Sequence, residues 1–431
     1  MRILDWNCLS SAQQREALQR TAAEETARVT AAARDIIERV RREGDAALLA
    51  LTEQFDGVRL EALRVTAQEF ADADRAITAD QHAAIERAIA NIRRFHAAQL
   101  PAPLCVETSP GVLCERISVP IRAVGLYVPA GSAPLPSTAM MLAVPAALAA
   151  CPVRLMCTAP NRSGAAHPAV LVAARKAGVE AIFKVGGAQA IAAMAYGSET
   201  IPKCDKVFGP GNAYVTAAKI LVAQAGAAAL DLPAGVTEVM VIADDEARAD
   251  FVAADLLAQA EHSPEAQAIL VTTEPALAAA VREEVRRQSR LLSRMTILAQ
   301  SVNAMRLIVV DTLQTAFDIA NTYAPEHLIL EIREARQWVP AISTAGAVFL
   351  GHWSPESLGD YCSGPNHTLP TYGYARSYSG LSVEDFQRRI TVQELTPAGL
   401  KGLGPTASIL AGLEGLDAHA AAVSIRLEAL R

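Results

Sequence analysis

Residues 256–265 read LLAQAEHSPE and bring an amide, a carboxylate and an imidazole together at the end of a predicted helix. Gln259 and His262 are three residues apart, so a helix projects both side chains from one face. Zn²⁺ accepts imidazole and oxygen ligands, although an amide oxygen is uncommon. The spacing differs from H-E-x-x-H, which argues against a metalloprotease. For this pair alone, a polar helix end stopped by Ser263-Pro264 remains an alternative.

Glu326 and His327, in the run APEHL, precede the predicted strand LILEI. An imidazole titrates near neutral pH, and a neighbouring carboxylate can orient water or hold a proton. The pair is therefore a candidate for acid–base chemistry. A helix cap followed by a surface histidine is the structural alternative.

Two further polar positions are ambiguous when taken singly. Asp360, in LGDYCSG, is a possible oxygen ligand, but an aspartate beside glycine more often forms a turn. His419, in EGLDAHAAAV, lies five residues after Glu414 and reads by itself as an ordinary helix histidine. Composition does not connect these positions to the others.

Two glycine-rich turns could face a nucleotide. Residues 208–223, FGPGNAYVTAAKILVA, predict a turn followed by a helix whose free N–H groups could bind phosphate. Tyr214 stands where the G-x-G-x-x-G fingerprint requires its last glycine. The run KVGGAQAIAA has the same design, and each pattern is weak alone.

Composition limits the classes of protein that fit. The 431 residues are 51% hydrophobic and 20% charged, with a formal net charge of −7 and no basic stretch for nucleic acid or an anionic membrane. The seven cysteines are scattered without a C-x-x-C pair, which is typical of a reduced, cytoplasmic protein. The N-terminus lacks the apolar run of a secretory signal, and prolines interrupt the uncharged stretch 123–153. A small-molecule partner is expected.

The order of patterns predicts an α/β protein. The first hundred residues show helical periodicity with a break at Gly44-Asp45. From about residue 124, short apolar runs alternate with alanine-rich helical segments, and a second such series begins after residue 238. Alternation of this kind indicates two doubly wound parallel sheets. Residues 355–380 are rich in Gly, Pro and Ser and predict a long ordered loop, and the last fifty residues predict helix.

Read together, these segments resemble the histidinol dehydrogenase family. The resemblance runs from about residue 25 to the C-terminus, and its specificity lies in the order of many short motifs. The motifs are VGLYVPAGSAP, VGGAQAIAA, FGPGNAYVTAAK, DLPAG, DLLAQAEH, YAPEHLI, GAVFLGHWSPES, GDYCSGPNHTLPTYGYA, TVQEL and EGLDAH.

The resemblance implies a set of roles for individual residues. Glu326 and His327 match the catalytic pair, His327 as general base and Glu326 as the group that helps water add to an aldehyde. One Zn²⁺ per subunit would be bound by Gln259, His262, Asp360 and His419. Substrate contacts fall at Thr237, Gln259, His262, His327, Asp360, Glu414 and His419. NAD contacts fall at Tyr127, Gln189 and Asn212. Glu261 has no place in these sets, and we expect it to point away from the metal.

The implied reaction is the oxidation of L-histidinol to L-histidine by two NAD molecules in succession, through L-histidinaldehyde. An alternative is a related enzyme that oxidises another primary alcohol. A non-catalytic nucleotide- or metal-binding protein is a third hypothesis, against which the intact Glu326-His327 pair argues. The family is a homodimer whose C-terminal segment crosses to the partner, so Glu414 and His419 would complete the other subunit's site.

The predicted fold is α/β, with two Rossmann-like, doubly wound parallel-sheet domains, a helical N-terminal segment and a small C-terminal helical tail, similar to aldehyde dehydrogenases. We predict residues 1–25 as the N-terminal helical segment, 26–127 with 237–381 as the domain carrying most zinc and catalytic residues, 128–236 as the NAD-binding domain, and 382–431 as the dimerisation tail.

Two positions depart from the family pattern. Ala130 stands where the family has glycine, which would cost about 1 kcal/mol if the position needs a positive φ. Val236-Thr237 replaces Pro-Ser, so the hydroxyl is kept while the backbone φ is freed. Both changes bear on loop geometry rather than on the metal ligands.

Overall fold

The computed structural model of the chain describes residues 1–20, 26–130, 133–233 and 235–431. Within these ranges the strands form three sheets. The strands are β1 (Arg2–Asp5), β2 (Leu104–Ser109), β3 (Val112–Pro120), β4 (Ala123–Val128), β5 (Val153–Thr158), β6 (Ala181–Phe183), β7 (Lys206–Phe208), β8 (Ala229–Leu230), β9 (Glu238–Ala243), β10 (Gln267–Thr272), β11 (Arg306–Val309), β12 (His327–Glu331), β13 (Ala347–Leu350) and β14 (Gln387–Leu395).

Helices cover the sheets. The α-helices are α1 (Ser11–Ala17), α2 (Thr26–Asp56), α3 (Ala67–Ala76), α4 (Ala79–Ala97), α5 (Pro136–Leu148), α6 (Pro168–Lys176), α7 (Gly187–Tyr196), α8 (Ala213–Gln224), α9 (Ala249–Ala260), α10 (Pro275–Ser289), α11 (Met295–Ala304), α12 (Leu313–Tyr323), α13 (Glu356–Tyr361), α14 (Pro397–Leu413) and α15 (Asp417–Glu428). Short 3-10 turns lie at Trp6–Cys8, Ala335–Ala341, Tyr374–Arg376 and Val383–Phe386.

Two of the sheets are parallel, as the alternating pattern predicted. One has the order β6-β5-β4-β7-β8 and the other the order β1-β11-β10-β9-β12-β13. Every residue of β4, β9 and β10 is buried. Strands of this kind are mostly apolar because helices pack on both faces of the sheet. The predicted α/β class is confirmed.

The predicted N-terminal helical segment 1–25 begins with a strand instead. β1 pairs in parallel with β11 and forms one edge of the six-stranded sheet, and only then does α1 start. Four residues are too short for a period of 2 to be separated from a period of 3.6, so only the tertiary pairing decides. Residues 21–25 lie outside the described residues.

The prediction that residues 26–127 build one domain together with 237–381 does not match their packing. Helix α2 packs on α7 and α8, and α4 packs on α5, so this region covers the five-stranded sheet. Ile37 and Leu48 of α2 share a core with Phe183 of β6. The apolar stripe of a helix does not encode which of two apolar sheets it covers. The break expected in α2 is confirmed at Gly44, where φ is 54°.

A third, antiparallel sheet corrects the prediction of a wholly helical C-terminal tail. β14 pairs with β3 along its whole length, and β2 pairs with the other edge of β3. Only the central part of the run QRRITVQEL, RITVQ, alternates polar and apolar residues with the period of a strand. Beyond this strand the prediction of helix is correct, since α14 and α15 follow.

The uncharged stretch 123–153 and the glycine-rich region 355–380 both contain regular secondary structure. The uncharged stretch 123–153 contains β4 and α5, and Pro145 lies inside α5. The glycine-rich region 355–380 is largely loop but begins with α13. No helix in the described ranges combines the length and apolar character needed to span a membrane.

Asp255, on α9, generates a prediction about stability. It is 7% exposed, and burial together with the charge of Glu331 raises its pKa to about 7. An unfolded chain ionises this group near pH 4, so between about pH 4 and 7 the folded state binds more protons and stability falls as pH rises. Asp255→Asn should therefore raise the free energy of unfolding at pH 8 by on the order of 2 kcal/mol.

Denaturant unfolding at pH 8 and pH 4 checks this expectation, and the gain should vanish at the lower pH. Asp250→Asn is the matched control, because Asp250 lies on the same helix but its side chain is 40% exposed and paired with Arg248. That variant should show no gain at either pH. An equal gain in both variants would contradict burial as the cause.

Candidate active site

Two pairs of consecutive residues meet at one edge of the six-stranded sheet. Thr237 and Glu238 lie at the start of β9, and Glu326 and His327 lie at the start of β12. The strands are parallel, with His327 opposite Val239. The side chains therefore gather at the amino ends of these strands. Open α/β sheets usually bind ligands at the carboxyl ends, so this placement is uncommon.

The backbone of Glu238 holds both predicted catalytic residues. Oε2 of Glu326 accepts hydrogen bonds from Oγ1 of Thr237 at 2.6 Å and from the N–H of Glu238 at 2.9 Å. Nδ1 of His327 lies 3.1 Å from the carbonyl oxygen of Glu238. Because a carbonyl only accepts, this contact assigns the ring proton to Nδ1 and leaves Nε2 as the basic nitrogen.

Burial and neighbouring charges set the proton affinity of this pair. Burial raises the pKa of Glu326 to about 7, although the neighbouring His327 opposes the rise. Burial lowers the pKa of His327, but the carboxylates of Glu356 and Glu326 outweigh it, and the net pKa lies well above its ordinary value. Two coupled groups of this kind can exchange a proton near neutral pH. The arrangement is therefore suited to acid–base catalysis.

Glu356, which the sequence reasoning missed, lies buried beside the pair. With its amide oxygen turned toward Thr237, Gln259 donates from its amide nitrogen to Oε1 of Glu356. Oε2 of Glu356 lies 4.0 Å from Nδ1 of His327, and burial raises the pKa of this carboxyl to about 8. A signal was present in the sequence, because Glu356 is four residues before Asp360 and thus on the same face of α13.

Asp360 faces the other nitrogen of the His327 ring. Its Oδ1 lies 3.4 Å from Nε2 of His327. Burial raises the pKa of Asp360, but His327, His367 and His262 outweigh it, so the net pKa is lowered. Asp360 is therefore held as a carboxylate among imidazoles. His367, in the glycine-rich region 355–380, is a second residue of this group that was not predicted from the sequence.

Of the four predicted metal ligands, His262 and Asp360 interact with each other and with His327, and Gln259 lies beside Thr237 and Glu356. Gln259 and His262 come from the end of α9, and Asp360 comes from α13. These nitrogen and oxygen donors suit Zn²⁺. Nε2 of His327 is buried without a hydrogen-bond partner, as expected of a group that meets a ligand. Among the described residues of a single chain, no three His, Cys, Asp or Glu side chains are grouped so that they could hold a metal ion, so His262 and Asp360 do not form a complete site by themselves.

The structure does not bring His419 and Glu414 to the site of their own chain. Both are exposed, His419 on α15 and Glu414 at the end of α14. Helix α14 packs on α15 and on β14 rather than on the six-stranded sheet. The predicted metal and substrate roles of these two residues therefore require a second chain.

A cavity of about 300 Å³ opens beside the catalytic pair. His327, Asp360 and His367 contribute its polar wall, and Phe95 and Leu369 contribute apolar surface. This volume is at the lower end of the range for small-molecule sites. A small polar substrate could therefore contact the basic nitrogen of His327.

The three predicted NAD contacts lie at the carboxyl end of the five-stranded sheet. Tyr127 is in β4, and its hydroxyl accepts a hydrogen bond from the N–H of Gly187 at 3.0 Å. Gln189 lies buried on α7, and Asn212 caps the start of α8 by accepting from Val215 at 3.1 Å. β4 lies between β5 and β7, where the connections leave in opposite directions. Such a switch point is the usual nucleotide crevice of an open α/β sheet.

The Gly-Pro-Gly turn approaches β4 closely. Gly209 has a φ of 123°, and a Cβ there would lie 2.1 Å from the carbonyl oxygen of Tyr127. Asp231 accepts from the N–H of Gly209 at 2.7 Å, and Lys219 donates to its carbonyl at 2.9 Å. The buried ion pair of Lys219 and Asp231 closes this arrangement. Glycine is therefore required where the turn meets the strand.

The two edges face one another. Thr138, in the first turn of α5, lies 3.4 Å from His367 between Oγ1 and Nε2. α5 follows β4, the strand at the switch point of the five-stranded sheet, whereas His367 lines the cavity beside His327. A cofactor at the carboxyl end of one sheet would thus lie near the catalytic pair at the amino end of the other.

Comparisons with known proteins agree with this geometry. Residues 19–427 match the sequence profile of the histidinol dehydrogenase family. The histidinol dehydrogenase of Xanthomonas axonopodis pv. citri is 55% identical over 427 residues, 99% of each chain. That of Vibrio vulnificus is 50% identical over 431 residues, covering 100% of this chain and 99% of the relative. The crystal structure of histidinol dehydrogenase from Elizabethkingia anophelis superposes with a TM-score of 0.94 at 43% identity, covering 100% of this chain and 98% of that one.

The chain belongs to the histidinol dehydrogenase family. The structure shows the backbone at the two positions that depart from the expected family pattern. Ala130 is not among the residues with a positive φ, so the anticipated backbone strain does not arise there; Gly131 lies outside the described residues. Near Val236, Gly235 donates to Oγ1 of Thr371 at 2.6 Å, so the turn is held although it lacks a proline.

The close approach of Gly209 leads to a prediction for this member of the histidinol dehydrogenase family. Gly209→Ala should lower the free energy of unfolding by more than about 2 kcal/mol, because a new Cβ meets backbone that cannot move aside. Gly226→Ala is the matched control, since Gly226 also has a positive φ but no atom within 4 Å of the added Cβ. The control should lose only about 1 kcal/mol in denaturant unfolding. Equal losses would refute the steric argument.

Proposed function

We propose that this chain oxidises L-histidinol to L-histidine, through the aldehyde, with two NAD molecules in succession. The observation that carries the proposal is the hydrogen bonding of His327. Its Nδ1 donates to a backbone carbonyl, and its Nε2 has no hydrogen-bond partner and is free to act as a base. The adjacent Glu326 has a raised pKa of about 7 and can exchange a proton at neutral pH. Family membership supports the choice of substrate.

Both oxidations place the same demand on His327. Hydride leaves carbon readily only as the attached oxygen loses its proton, and Nε2 is placed to take that proton. The first oxidation gives the aldehyde. After water adds to the aldehyde, the same nitrogen takes a proton from the hydrate while the second hydride leaves, and the acid forms. Glu326 assists the addition of water, since a carboxyl with a pKa near 7 can both accept and return a proton.

The residues at the two sheet edges suit the expected cofactors. Gln259, His262 and Asp360, with His419 of a second chain, would hold one Zn²⁺. When bound, the ion would hold the nitrogens of the substrate and so place its alcohol carbon. Tyr127, Gln189 and Asn212 would contact NAD at the carboxyl end of the five-stranded sheet. Thr237 and Glu414 would contact the substrate, and Glu414 would pair with its ammonium group.

A homodimer in which the C-terminal segments exchange is part of the proposal. The hairpin of α14 and α15 exposes large apolar side chains, and Leu413 is 80% exposed. An exposed apolar patch on this scale is typical of a protein interface. The other exposed apolar side chains of the hairpin are Leu403, Ile409, Leu410, Leu416 and Ile425.

We also propose a cytoplasmic location, which the seven unpaired cysteines support.

An assay of NADH formation from L-histidinol, NAD and Zn²⁺ tests the activity. We expect about two NADH for each histidine formed, and His327→Asn should abolish most turnover by removing a general base. The variant should still bind zinc, measured as metal per chain, because His327 is not among the four ligands. Turnover of a different alcohol but not of histidinol would overturn the choice of substrate.

Subunit complementation tests the exchanged dimer. His327→Asn and His419→Asn should each be inactive alone. After the two are unfolded and refolded together, heterodimers should contain one site with both native histidines, so about one quarter of wild-type activity should return. Mixing without refolding is the control. No recovery from a soluble, dimeric mixture would show that each site is built from a single chain.

A further inference from the structure

Arg20 forms a buried ion pair with Glu238, the residue whose backbone holds the catalytic pair. Its Nε and Nη2 donate to the two carboxylate oxygens of Glu238 at 2.5 and 2.8 Å. The side chain of Glu238 is fully buried, and that of Arg20 is 15% exposed. A bidentate arginine–carboxylate pair fixes both the position and the plane of the carboxylate.

The same guanidinium also binds the turn that leads into β12. Nη2 of Arg20 donates to the carbonyl oxygens of Tyr323 at 2.9 Å and Ala324 at 3.4 Å. Its Cζ lies 3.8 Å from the centre of the Tyr323 ring. Ala324 is two residues before Glu326. One side chain therefore joins the start of β9 to the start of β12, and the catalytic residues lie at that junction.

Strained backbone surrounds this contact. Among the described non-glycine residues, only Ala150, Ala324, Glu334 and Tyr372 have a positive φ, and two of these contact the ion pair. The N–H of Tyr372 donates to Oε1 of Glu238 at 3.1 Å, and the carbonyl of Ala324 accepts from Arg20. A left-handed residue costs on the order of 1 kcal/mol and persists only when its surroundings hold it.

We propose that Arg20 and Glu238 form a clamp that positions Glu326 and His327 for proton transfer. The clamp joins residues 237–238, 323–324 and 372 around the pair, and Arg20 itself touches neither catalytic side chain. This inference rests on the proposed function. Proton transfer requires contact distances of about 3 Å, and a displacement of about 1 Å can lower a rate by about a hundredfold.

The clamp needs an arginine. A lysine ammonium is a compact charge and cannot bind two carboxylate oxygens in one plane while also donating to the carbonyl oxygens of the turn. Arg20→Lys should therefore keep the charge and the fold but lose the positioning. We expect kcat for histidinol to fall about tenfold or more, with KM changed less than about threefold, because the lost interaction acts on the transition state.

Arg306 provides the matched control. It lies in β11 and donates to the carbonyl oxygens of Ala17 and Gln19 at 2.8 and 3.1 Å, and to the side chain of Gln267. It thus attaches the N-terminal segment to the same sheet without a hydrogen bond to the turn before β12. Arg306→Lys should lower the melting temperature about as much as Arg20→Lys while kcat stays within about twofold of wild type.

The experiment measures kcat and KM for L-histidinol, bound zinc per chain and melting temperature for the wild type and each variant. A kcat loss in Arg20→Lys, with zinc unchanged and no matching loss in Arg306→Lys, supports the clamp. The double variant Arg20→Lys/Glu238→Gln should lose no more than about twofold beyond Glu238→Gln alone, since both changes break one unit.

Failure of the clamp and failure of the proposed function are distinguishable. No NADH from histidinol with the wild type overturns the proposed function. Full wild-type turnover together with a kcat for Arg20→Lys no lower than that for Arg306→Lys overturns the clamp alone. A loss confined to KM or to bound zinc also overturns it, because Arg20 would then act on ligand binding rather than on the catalytic pair.

Discussion

The parallel pairing of β9 with β12 fixes the site, because it puts the backbone of Glu238 within hydrogen-bond reach of both Glu326 and His327. The N–H binds the carboxylate and the carbonyl binds the imidazole. A strand shifted by one residue would turn each side chain to the opposite face and break both bonds. The tautomer of His327, and hence its basic nitrogen, follows from a sheet register rather than from another side chain.

The second constraint is burial. Glu326 and His327, at the start of β12, and Glu356, at the start of α13, are all held away from bulk water. Desolvation raises the pKa of the two glutamates into the neutral range, whereas the clustered carboxylates raise the pKa of the imidazole. Groups that differ widely in water thus come to titrate within one coupled set. The fold tunes proton transfer without an unusual residue type.

The site also depends on contacts between parts of the chain that are far apart. The crevice proposed for NAD lies at the carboxyl end of the five-stranded sheet, and the proposed catalytic pair lies at the amino end of the other, with Thr138 and His367 between them. Helices α14 and α15 project from the antiparallel sheet and leave Glu414 and His419 exposed. One chain therefore contains most of the proposed site. It also exposes an apolar surface on which a second chain could bind and supply the remaining residues.

Local sequence patterns were enough to predict the α/β class, the strands of the two parallel sheets other than β1 and β8, and the candidacy of Gln259, Glu326 and His327. These features are local, since they rest on hydrophobic period, turn residues and motif order. The strand at residues 2–5, the sheet that α2 covers and the contacts of Arg20 and Glu356 are visible only in the folded structure. All of these features depend on pairing with, or burial against, residues that are distant in the chain. Local sequence spacing does not encode such contacts.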